Sequence, residues 1–247
     1  MAVPYIIVPA RLKSSRLPDK PLADIAGKPM IIRVLDKAYQ AINDRTRVVA
    51  AIDNERVFKC VEEAGYRAVL TDPDLPSGSD RVAAAAAALK LSDDEKIINL
   101  QGDEPAVPVS AIEKLIKLVY ALHRGEWATL LVPGSSADLC DPNVVKAVTD
   151  KDGAALYFSR APIPFDRDSD QGVADCLRHI GLYGYHFGDL KDFVSFPTAA
   201  IENAEKLEQL RALYNGVRIR TAVLESPPPH GVDTPAQLAA MQARDWT

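Results

Sequence analysis

Cysteine is scarce in this sequence and is not arranged for cross-linking or metal binding. The chain has three cysteines in 247 residues, widely spaced, with no CxxC pair and no Cys/His spacing typical of zinc. An odd number of scattered cysteines predicts reduced thiols rather than a disulfide framework. The sequence therefore indicates neither a disulfide framework nor a structural zinc site.

The sequence also lacks a long apolar run. Its longest uncharged apolar stretch, 82–89, is mostly alanine, far short of the roughly 20 residues that cross a bilayer. No basic segment precedes the first apolar residues, and Arg11 follows them too soon for a signal peptide. We expect no membrane insertion and a cytoplasmic location.

Positive charge is in deficit, with a formal net charge of -5 at pH 7. Attraction to nucleic acid over a broad surface needs a basic excess, so we expect no nucleic-acid partner. A phosphate site would have to be local. It would need clustered Arg and Lys, oriented backbone N–H groups or a bound cation.

What the sequence does contain is typical of one α/β domain over residues 1–247, with 47% hydrophobic and 26% charged residues. Apolar runs rich in β-branched residues predict buried strands, and apolar stripes of helical period predict helices. Asp53 and Ser110 are candidate N-caps. The alternation predicts right-handed crossovers and a mostly parallel central sheet flanked by helices. The predicted strands are 5–9, 47–52, 68–70, 96–100 and 128–132, and the predicted helices 30–40 and 110–122.

The pattern changes at about residue 143, and the region to about 190 is predicted as an insertion built on a β-hairpin. Local pairing of two short strands around a turn replaces the crossovers. A polar, acidic loop follows at 166–175. The remaining predicted elements are hairpin strands at 144–148 and 155–158, a strand at 178–187, a helix at 205–214 with Leu207, Leu210 and Tyr214 in the core, a strand at 218–224 and a terminal helix capped by Thr234.

The first candidate site is the basic loop 9–22, which directly follows the first predicted strand. Open α/β sheets bind ligands beyond the carboxyl ends of their strands. Arg11, Arg16 and Lys20, in a loop stiffened by Pro18 and Pro21, offer guanidinium and ammonium contacts to a polyphosphate. A merely solvated basic loop is the alternative.

Two aspartates form the second candidate site. Asp103 follows the predicted strand 96–100, and Asp233 precedes the cap Thr234 of the last helix. One carboxylate from each segment would make a sparse Mg²⁺ site of the kind completed by waters and substrate phosphates. Asp103 as a turn or cap residue is the alternative, and the pairing of such distant residues is a hypothesis.

A third candidate is the segment 77–81, which opens an alanine-rich helix. Ser77 and Gly78 allow a ligand to approach the backbone, and helix N–H groups there can donate hydrogen bonds to a base or a phosphate; Arg81 follows. An ordinary N-cap with a capping acid is the alternative. The usual phosphate loops GxxxxGK[ST] and GxGxxG are absent, as are the hydrolase signatures GxSxG and HExxH.

Polar residues of the second half offer donors to an acidic sugar. Arg160, Arg178, His179 and Tyr183 fall on or beside predicted strands. A histidine in such a place is more often packed than catalytic. Three glutamates fall on one face at the predicted helix 205–214: Glu202, Glu205 and Glu208. Such a stripe is ordinarily a solvated helix face, and the same interpretation applies to Gln209 and Arg211.

The order of these segments closely resembles the 3-deoxy-manno-octulosonate cytidylyltransferase family, the CMP-Kdo synthetases. The resemblance covers nearly the whole chain and several long motifs. They are PARxxSxRLPxKPL at 9–22, SG[ST][DE]R at 77–81, QGDEP at 101–105, ALYFSR at 155–160, LRHIGLYGY at 177–185, LEQLR at 207–211 and GVDTP at 231–235.

The resemblance implies an activity and a fold. CTP and the eight-carbon acidic sugar Kdo would give CMP-Kdo and pyrophosphate for bacterial lipopolysaccharide, on a nucleotide-diphospho-sugar transferase (Rossmann-like) fold that forms a homodimer around the hairpin region. By matching motif, the resemblance further implies that the catalytic residues are Arg11, Lys20, Asp103 and Asp233, and that the last two bind Mg²⁺. The implied nucleotide-binding residues are Arg11, Arg16, Lys20, Ser77, Gly78 and Arg81. The implied sugar-binding residues are Gln101, Arg160, His179, Tyr183, Glu208 and Gln209.

Two positions depart from the family pattern. Ile52 stands where the family commonly has threonine, and Leu75 where it commonly has histidine. Three alternatives stay open on the sequence: transfer to another acidic sugar, such as an 8-amino Kdo analogue or a sialic acid, a non-catalytic nucleotide or sugar sensor, and a purely structural interaction module. A sensor is expected to have lost Lys20, Asp103 or Asp233, and all three are present.

Overall fold

A computed structural model describes residues 3–13, 16–168 and 176–246 of the chain. Most of the predicted loop 166–175 lies outside these residues. The strands are β1 (Tyr5–Ala10), β2 (Asp24–Ile25), β3 (Lys28–Pro29), β4 (Val48–Ile52), β5 (Arg67–Leu70), β6 (Lys96–Asn99), β7 (Glu126–Pro133), β8 (Lys146–Thr149), β9 (Ala155–Ser159), β10 (Leu177–His186) and β11 (Arg218–Val223).

Helices cover both faces of the sheet that most of these strands form. They are α1 (Met30–Ile42), α2 (Glu55–Glu63), α3 (Gly78–Ala88), α4 (Val109–Tyr120), α5 (Ser136–Cys140), α6 (Phe187–Ser195), α7 (Ala200–Glu205), α8 (Gln209–Tyr214) and α9 (Pro235–Gln242). No helix in the described part of the chain is long and apolar enough to cross a membrane.

The central sheet has the strand order β11-β7-β10-β6-β1-β4-β5. Four neighbouring pairs are parallel, and β10 runs antiparallel to both β6 and β7. Strands β8 and β9 form an antiparallel hairpin that joins the sheet through β10. The predicted mostly parallel sheet and the predicted hairpin are confirmed.

Two apolar layers sandwich the sheet because successive strand residues point to opposite faces. Ile6 and Val8 pack on one face with α1 and α4, whereas Ile7 packs on the other with α3 and α6. A third, smaller cluster joins Leu17 and Ile25 to Val232, so it connects the loop after β1 to the segment before α9. The site described below lies between these two segments.

Both predicted internal caps are wrong by one or two positions. Asn54, not Asp53, caps α2 by accepting from Arg56 N, and Asp53 instead accepts from Leu12 N. Helix α4 follows Pro108 as its N-cap residue, which places Ser110 inside the first turn. At α2, Asp53 and Asn54 are adjacent and have similar capping ability, so the sequence does not reveal which one begins the helix.

The predicted helix 205–214 is in fact two helices. Lys206 adopts a left-handed conformation with φ 53, which ends α7, and α8 begins only at Gln209. The predicted glutamate stripe on one helical face is therefore wrong. Tyr214 is 67% exposed rather than part of the core, while Leu207 and Leu210 are buried as predicted.

Two smaller predictions have opposite outcomes. The strand 68–70 is not a buried strand: β5 is the edge of the sheet, and Leu70 is 43% exposed. The three cysteines are free thiols, as predicted.

Candidate active site

A cleft of about 290 Å³ opens at the carboxyl ends of β1 and β6 and at the beginning of α3. Because parallel strands end at the same edge of a sheet, segments far apart in the chain meet here. Every residue predicted to bind nucleotide or metal lines this cleft: Arg11, Arg16, Lys20, Ser77, Gly78, Arg81, Asp103 and Asp233. Of the predicted sugar-binding residues, Gln101 lines it.

Lys20 joins the two aspartates at the base of the cleft. Its Nζ donates to Asp103 Oδ2 at 2.7 Å and to Asp233 Oδ1 at 2.8 Å. The more exposed Arg16 guanidinium lies 3.5 Å from the same Asp233 oxygen. The structure thus brings together the residues that the sequence analysis could pair only by hypothesis.

Backbone contacts keep the two aspartates adjacent. Val232 N donates to Asp103 O at 2.8 Å. A Cβ on Gly231 would lie 2.8 Å from Glu104 Oε1 and 3.1 Å from Asp103 O, so a larger residue would require both groups to shift. On the other side of Asp233, Thr234 caps α9 in a capping box with Gln237.

These neighbours shift the protonation of the charged groups. Burial lowers the pKa of Lys20, but the charges and hydrogen bonds of Asp103 and Asp233 outweigh burial, so the pKa is raised overall. Burial raises the pKa of Asp233, and the Lys20 ammonium reverses that shift, leaving it lowered. Lys20 and Asp233 are therefore charged at neutral pH.

Glu104 is a site residue that the sequence analysis did not single out. Burial, reinforced by the charge of Asp103, raises the pKa of Glu104 to about 8. Its carboxyl packs against Gly231, behind the aspartate pair. The sequence shows Glu104 only as a member of the segment 101–105, since nothing in the pattern indicates that this acid is buried.

The predicted basic loop begins where β1 ends. Arg11 is exposed at the mouth of the cleft, while Leu17 is buried in the small apolar cluster and anchors the loop. Gly102 passes so close to β1 that a Cβ there would lie 2.8 Å from Pro9 O. The end of β1, where the loop begins, therefore packs closely against the residue before Asp103.

The opposite wall is the start of α3, with the cap that the sequence predicts. Ser77 Oγ accepts from Asp80 N at 3.2 Å, and Ser77 and Gly78 line the cleft. The side chain of Arg81 is only 3% exposed; its guanidinium donates to Thr71 Oγ1 and to Asp72 O. Free N–H groups at a helix start and a fixed guanidinium are suited to an anionic ligand.

Behind the cleft lies a buried polar region that includes several predicted sugar-binding residues. Gln101 Nε2 donates to Asn99 Oδ1 at 3.0 Å, and Glu208 Oε2 accepts from Ser79 Oγ at 2.7 Å. Among the described residues, Glu208 Oε1 and Trp127 Nε1 are buried without a hydrogen-bond partner. Unpaired buried polar atoms are costly, so they indicate a place for a polar ligand.

His179 is a packed strand histidine, as its ordinary interpretation predicts. Its ring contacts Phe158 and Tyr183, with centroids at 4.9 and 5.4 Å, and its Nε2 lies 3.0 Å from Thr129 Oγ1. Burial lowers the pKa of His179 to about 3, so the ring is neutral at physiological pH. Burial raises the pKa of the neighbouring Tyr183.

The structure does not bring Arg160 to the cleft. Its Nε donates to Glu205 O at 2.7 Å and its Nη1 to Pro142 O at 2.8 Å, which joins the end of β9 to the α7–α8 turn. Gln209 is buried at the start of α8, next to Glu208. Arg160 and Gln209 are thus placed around the polar region rather than in the cleft lining.

Few side chains among the described residues are placed to bind a metal ion. No cluster of three or more His, Cys, Asp or Glu side chains that could hold an ion occurs there. Asp103 and Asp233 are two carboxylates close enough to contact one Nζ. Mg²⁺ is commonly bound in proteins by one or two carboxylates, with waters and substrate phosphates completing its coordination, so this pair fits a magnesium ion.

Known proteins are similar to this chain in sequence and in fold. Residues 5–219 match the family model described as Cytidylyltransferase. The chain is 45% identical over 246 residues to the 3-deoxy-manno-octulosonate cytidylyltransferase of Hahella chejuensis, covering 96% of both chains. It is 44% identical over 249 residues to the enzyme of the same name from Saccharophagus degradans, covering 97% of both.

Solved structures agree with these relatives. The structure of CMP:2-keto-3-deoxy-manno-octonic acid synthetase complexed with CTP matches with a TM-score of 0.90 and 40% identity, covering 98% of both chains. A glucose-1-phosphate thymidylyltransferase from Bacillus anthracis, described as putative, matches with a TM-score of 0.66 at 15% identity, over 97% of this chain and 94% of the other. At that identity the match shows a common fold alone.

Proposed function

The chain belongs to the cytidylyltransferase family, and from this premise we propose that it transfers CMP from CTP to the anomeric hydroxyl of Kdo, releasing pyrophosphate. The observation that carries the proposal is the cleft itself. Arg11, Arg16 and Arg81 surround an aspartate pair bridged by Lys20, and this whole set stands at the strand ends where the fold binds ligands.

The reaction is an in-line displacement at phosphorus. The anomeric hydroxyl oxygen of Kdo attacks the α-phosphorus of CTP and forms a new P–O bond, and the hydroxyl proton passes to solvent. The bond from the α-phosphorus to the oxygen that bridges the α- and β-phosphates breaks, with pyrophosphate as the leaving group. Such transfers depend mainly on positioning and on neutralising charge. Arg11 and Lys20 bind the phosphates that leave, and the start of α3 with Arg81 binds the rest of the nucleotide.

Asp103 and Asp233 are proposed to hold Mg²⁺. When bound, the ion would orient and acidify the sugar hydroxyl and offset phosphate charge. Lys20 offsets part of the negative charge of the pair, since its ammonium contacts both carboxylates. The chain itself thus keeps two like charges close together, which is the arrangement that a divalent cation needs.

The buried polar region is proposed as the sugar site. Gln101 connects it to the cleft. Glu208 Oε1 has no hydrogen-bond partner, and a sugar hydroxyl would donate a hydrogen bond to it. Tyr183 and Gln209 add further polar atoms. His179 is neutral there, so it acts by hydrogen bonding rather than by charge. Arg160 acts through the α7–α8 turn that it joins.

Three further properties are proposed with the activity. The product would serve lipopolysaccharide synthesis, the protein would act in the cytoplasm, and two copies would associate around the hairpin β8–β9. Leu156, on β9, is 62% exposed. A large apolar side chain exposed on a strand suits burial against a second copy.

The test measures pyrophosphate release from CTP in the presence of MgCl₂. Kdo, its 8-amino analogue and a sialic acid are supplied in parallel reactions, with EDTA in place of MgCl₂ as the control. We expect metal-dependent release with Kdo above the other sugars. Faster release with another sugar would replace Kdo as the substrate. Folded protein that releases no pyrophosphate with any sugar would overturn the proposed activity and favour a sensor.

A further inference from the structure

Asp53 contacts two parts of the cleft that are far apart along the chain. One carboxylate oxygen, Oδ1, accepts from Leu12 N at 2.9 Å, directly after Arg11 in the basic loop. The other, Oδ2, lies 3.8 Å from Arg81 Nη2, on the helix that forms the opposite wall. The side chain of Asp53 is 6% exposed, so neither contact is made at the open surface.

Asp53 also balances charge within the cleft. Burial lowers the pKa of Arg81; Asp53 opposes that shift, and the like charge of Arg11 adds to it. Among the described residues, Asp53 supplies the carboxylate found within 4.0 Å of the Arg81 guanidinium. Two cations gathered for one polyanion repel each other before it binds, and an intervening carboxylate reduces that repulsion.

Helix capping does not account for Asp53, because its neighbour Asn54 is the N-cap of α2. Thr71, which accepts from Arg81, is itself bound to Ile52 O through both its N and its Oγ1. The buried guanidinium is thus held from one side by β4 and from the other by Asp53. These contacts fix its position relative to the backbone that carries Arg11.

We propose that Asp53 is a positioning residue for CTP: it sets the basic loop after Arg11 and the guanidinium of Arg81 at the separation that the nucleotide needs. The inference rests on the proposed function, since it assigns CTP to this cleft. Asp53 acts before and during nucleotide binding through the residues it holds. Its removal is therefore expected to weaken CTP binding more than the turnover of bound substrates.

The experiment measures the Kd for CTP by calorimetry with MgCl₂ and no sugar, and kcat and both KM values by pyrophosphate release. Asp53→Ala loses both contacts, whereas Asp53→Asn keeps an oxygen for Leu12 N and loses the charge. We expect about tenfold weaker CTP binding for alanine, the effect of one charge-assisted contact. Asparagine should fall between alanine and the parent, with kcat and the KM for Kdo changed less than about threefold in both.

Asp150→Ala is the matched control. Asp150 likewise accepts from a backbone amide, Ala154 N at 2.8 Å, and pairs with Arg218, but it lies in the hairpin turn away from the cleft. It should lower thermal stability without changing the Kd for CTP.

Three results would overturn the inference. Parent-like CTP binding by both Asp53 variants would show that the contacts do not position the nucleotide. A fall in kcat, a rise in both KM values and a fall in thermal stability, all of similar size, would show a general structural role. A parent protein that does not bind CTP would remove the proposed function first, and the inference with it, and calorimetry without sugar identifies that case.

Discussion

Ser79 Oγ donates to Glu208 Oε2 at 2.7 Å although 129 residues separate them in the chain. Ser79 lies in the first turn of α3, whose start lines the cleft, and Glu208 directly precedes α8 beside the buried polar region. This bond is therefore a direct contact between the side proposed for CTP and the side proposed for the sugar. Glu208 Oε1 stays free for a ligand.

Ser79→Ala should impair use of the sugar more than use of CTP. Without the hydroxyl, Glu208 loses the hydrogen bond that orients its carboxylate, and we expect the KM for Kdo to rise about tenfold, the worth of a bond to a charged group. Steady-state kinetics with each substrate varied in turn measures this. Ser195→Ala, which removes an exposed hydroxyl that bonds Asp192 O, is the control. An unchanged KM for Kdo would contradict the assignment.

Asp103→Asn should lower turnover while leaving CTP binding nearly intact. The amide keeps the size of the carboxylate but removes charge where a cation is proposed, so kcat is expected to fall about 100-fold and the Kd for CTP to change less than about threefold. Calorimetry and pyrophosphate release provide the two values. Asp24→Asn alters another aspartate that accepts from a backbone amide, Gly27 N, away from the cleft. Parent-like kcat in Asp103→Asn would exclude the role.

Lys20→Met should make the protein more responsive to magnesium. The side chain of Lys20 is 15% exposed and holds two carboxylates, so its loss is expected to lower Tm by about 5 °C, the effect of about 2 kcal/mol in a domain of this size. MgCl₂ should then raise the Tm of the variant more than that of the parent, because the freed carboxylates bind the cation.

Two controls accompany that measurement. Lys28→Met removes a lysine paired with the single acid Asp36 and should show no added response to MgCl₂. The double variant Lys20→Met with Asp103→Asn should lose the response altogether. Equal magnesium shifts in the parent and in Lys20→Met would argue against a cation site at Asp103 and Asp233.

His179 should make the protein less stable in acid. Its pKa is about 3 in the folded chain because of burial, against about 6.5 when exposed. The stability due to its neutral form is complete above pH 6.5 and is lost as the pH falls toward 3.

Urea unfolding at several values between pH 5 and 7 measures this. The slope of unfolding free energy against pH should decrease in His179→Gln by up to about 1.4 kcal/mol per pH unit. His123→Gln, which replaces an exposed histidine, should keep the parent slope. Identical slopes in the parent and His179→Gln would show that His179 titrates normally.

Leu156→Glu should separate the proposed dimer. The side chain is exposed on β9 of the hairpin, and a charge there would remain unpaired in an apolar interface. Sedimentation velocity should give a dimer for the parent and a monomer for the variant. Leu70→Glu places the same charge on the exposed edge strand β5 and should stay dimeric. A monomeric parent would rule out the association.

The sequence predicts the strands and the order of the site segments because both rest on local patterns. Runs such as 48–52 are apolar on both faces, and a central parallel strand needs that composition. Asp103 and Lys20 follow strands that end at one edge, so their proximity follows from topology.

What the sequence does not reveal depends on single conformations and on burial. One left-handed residue, Lys206, divides the predicted helix 205–214, and helical periodicity continues across such a break. The carboxyl of the partly buried Glu104 lies against Gly231, which belongs to a segment far away in the chain. The side chain of Arg160 turns to backbone carbonyls, a choice that no spacing indicates.

The bond from Val232 N to Asp103 O sets an order for assembly during synthesis. A ribosome makes the chain from its amino end, so Arg11, Lys20 and Asp103 emerge well before Asp233. Until the segment 231–233 docks, a nascent chain has a basic loop with one acidic partner instead of two. Lys20 can therefore bridge both carboxylates only after the segment 231–233 has been synthesised and has docked against Asp103.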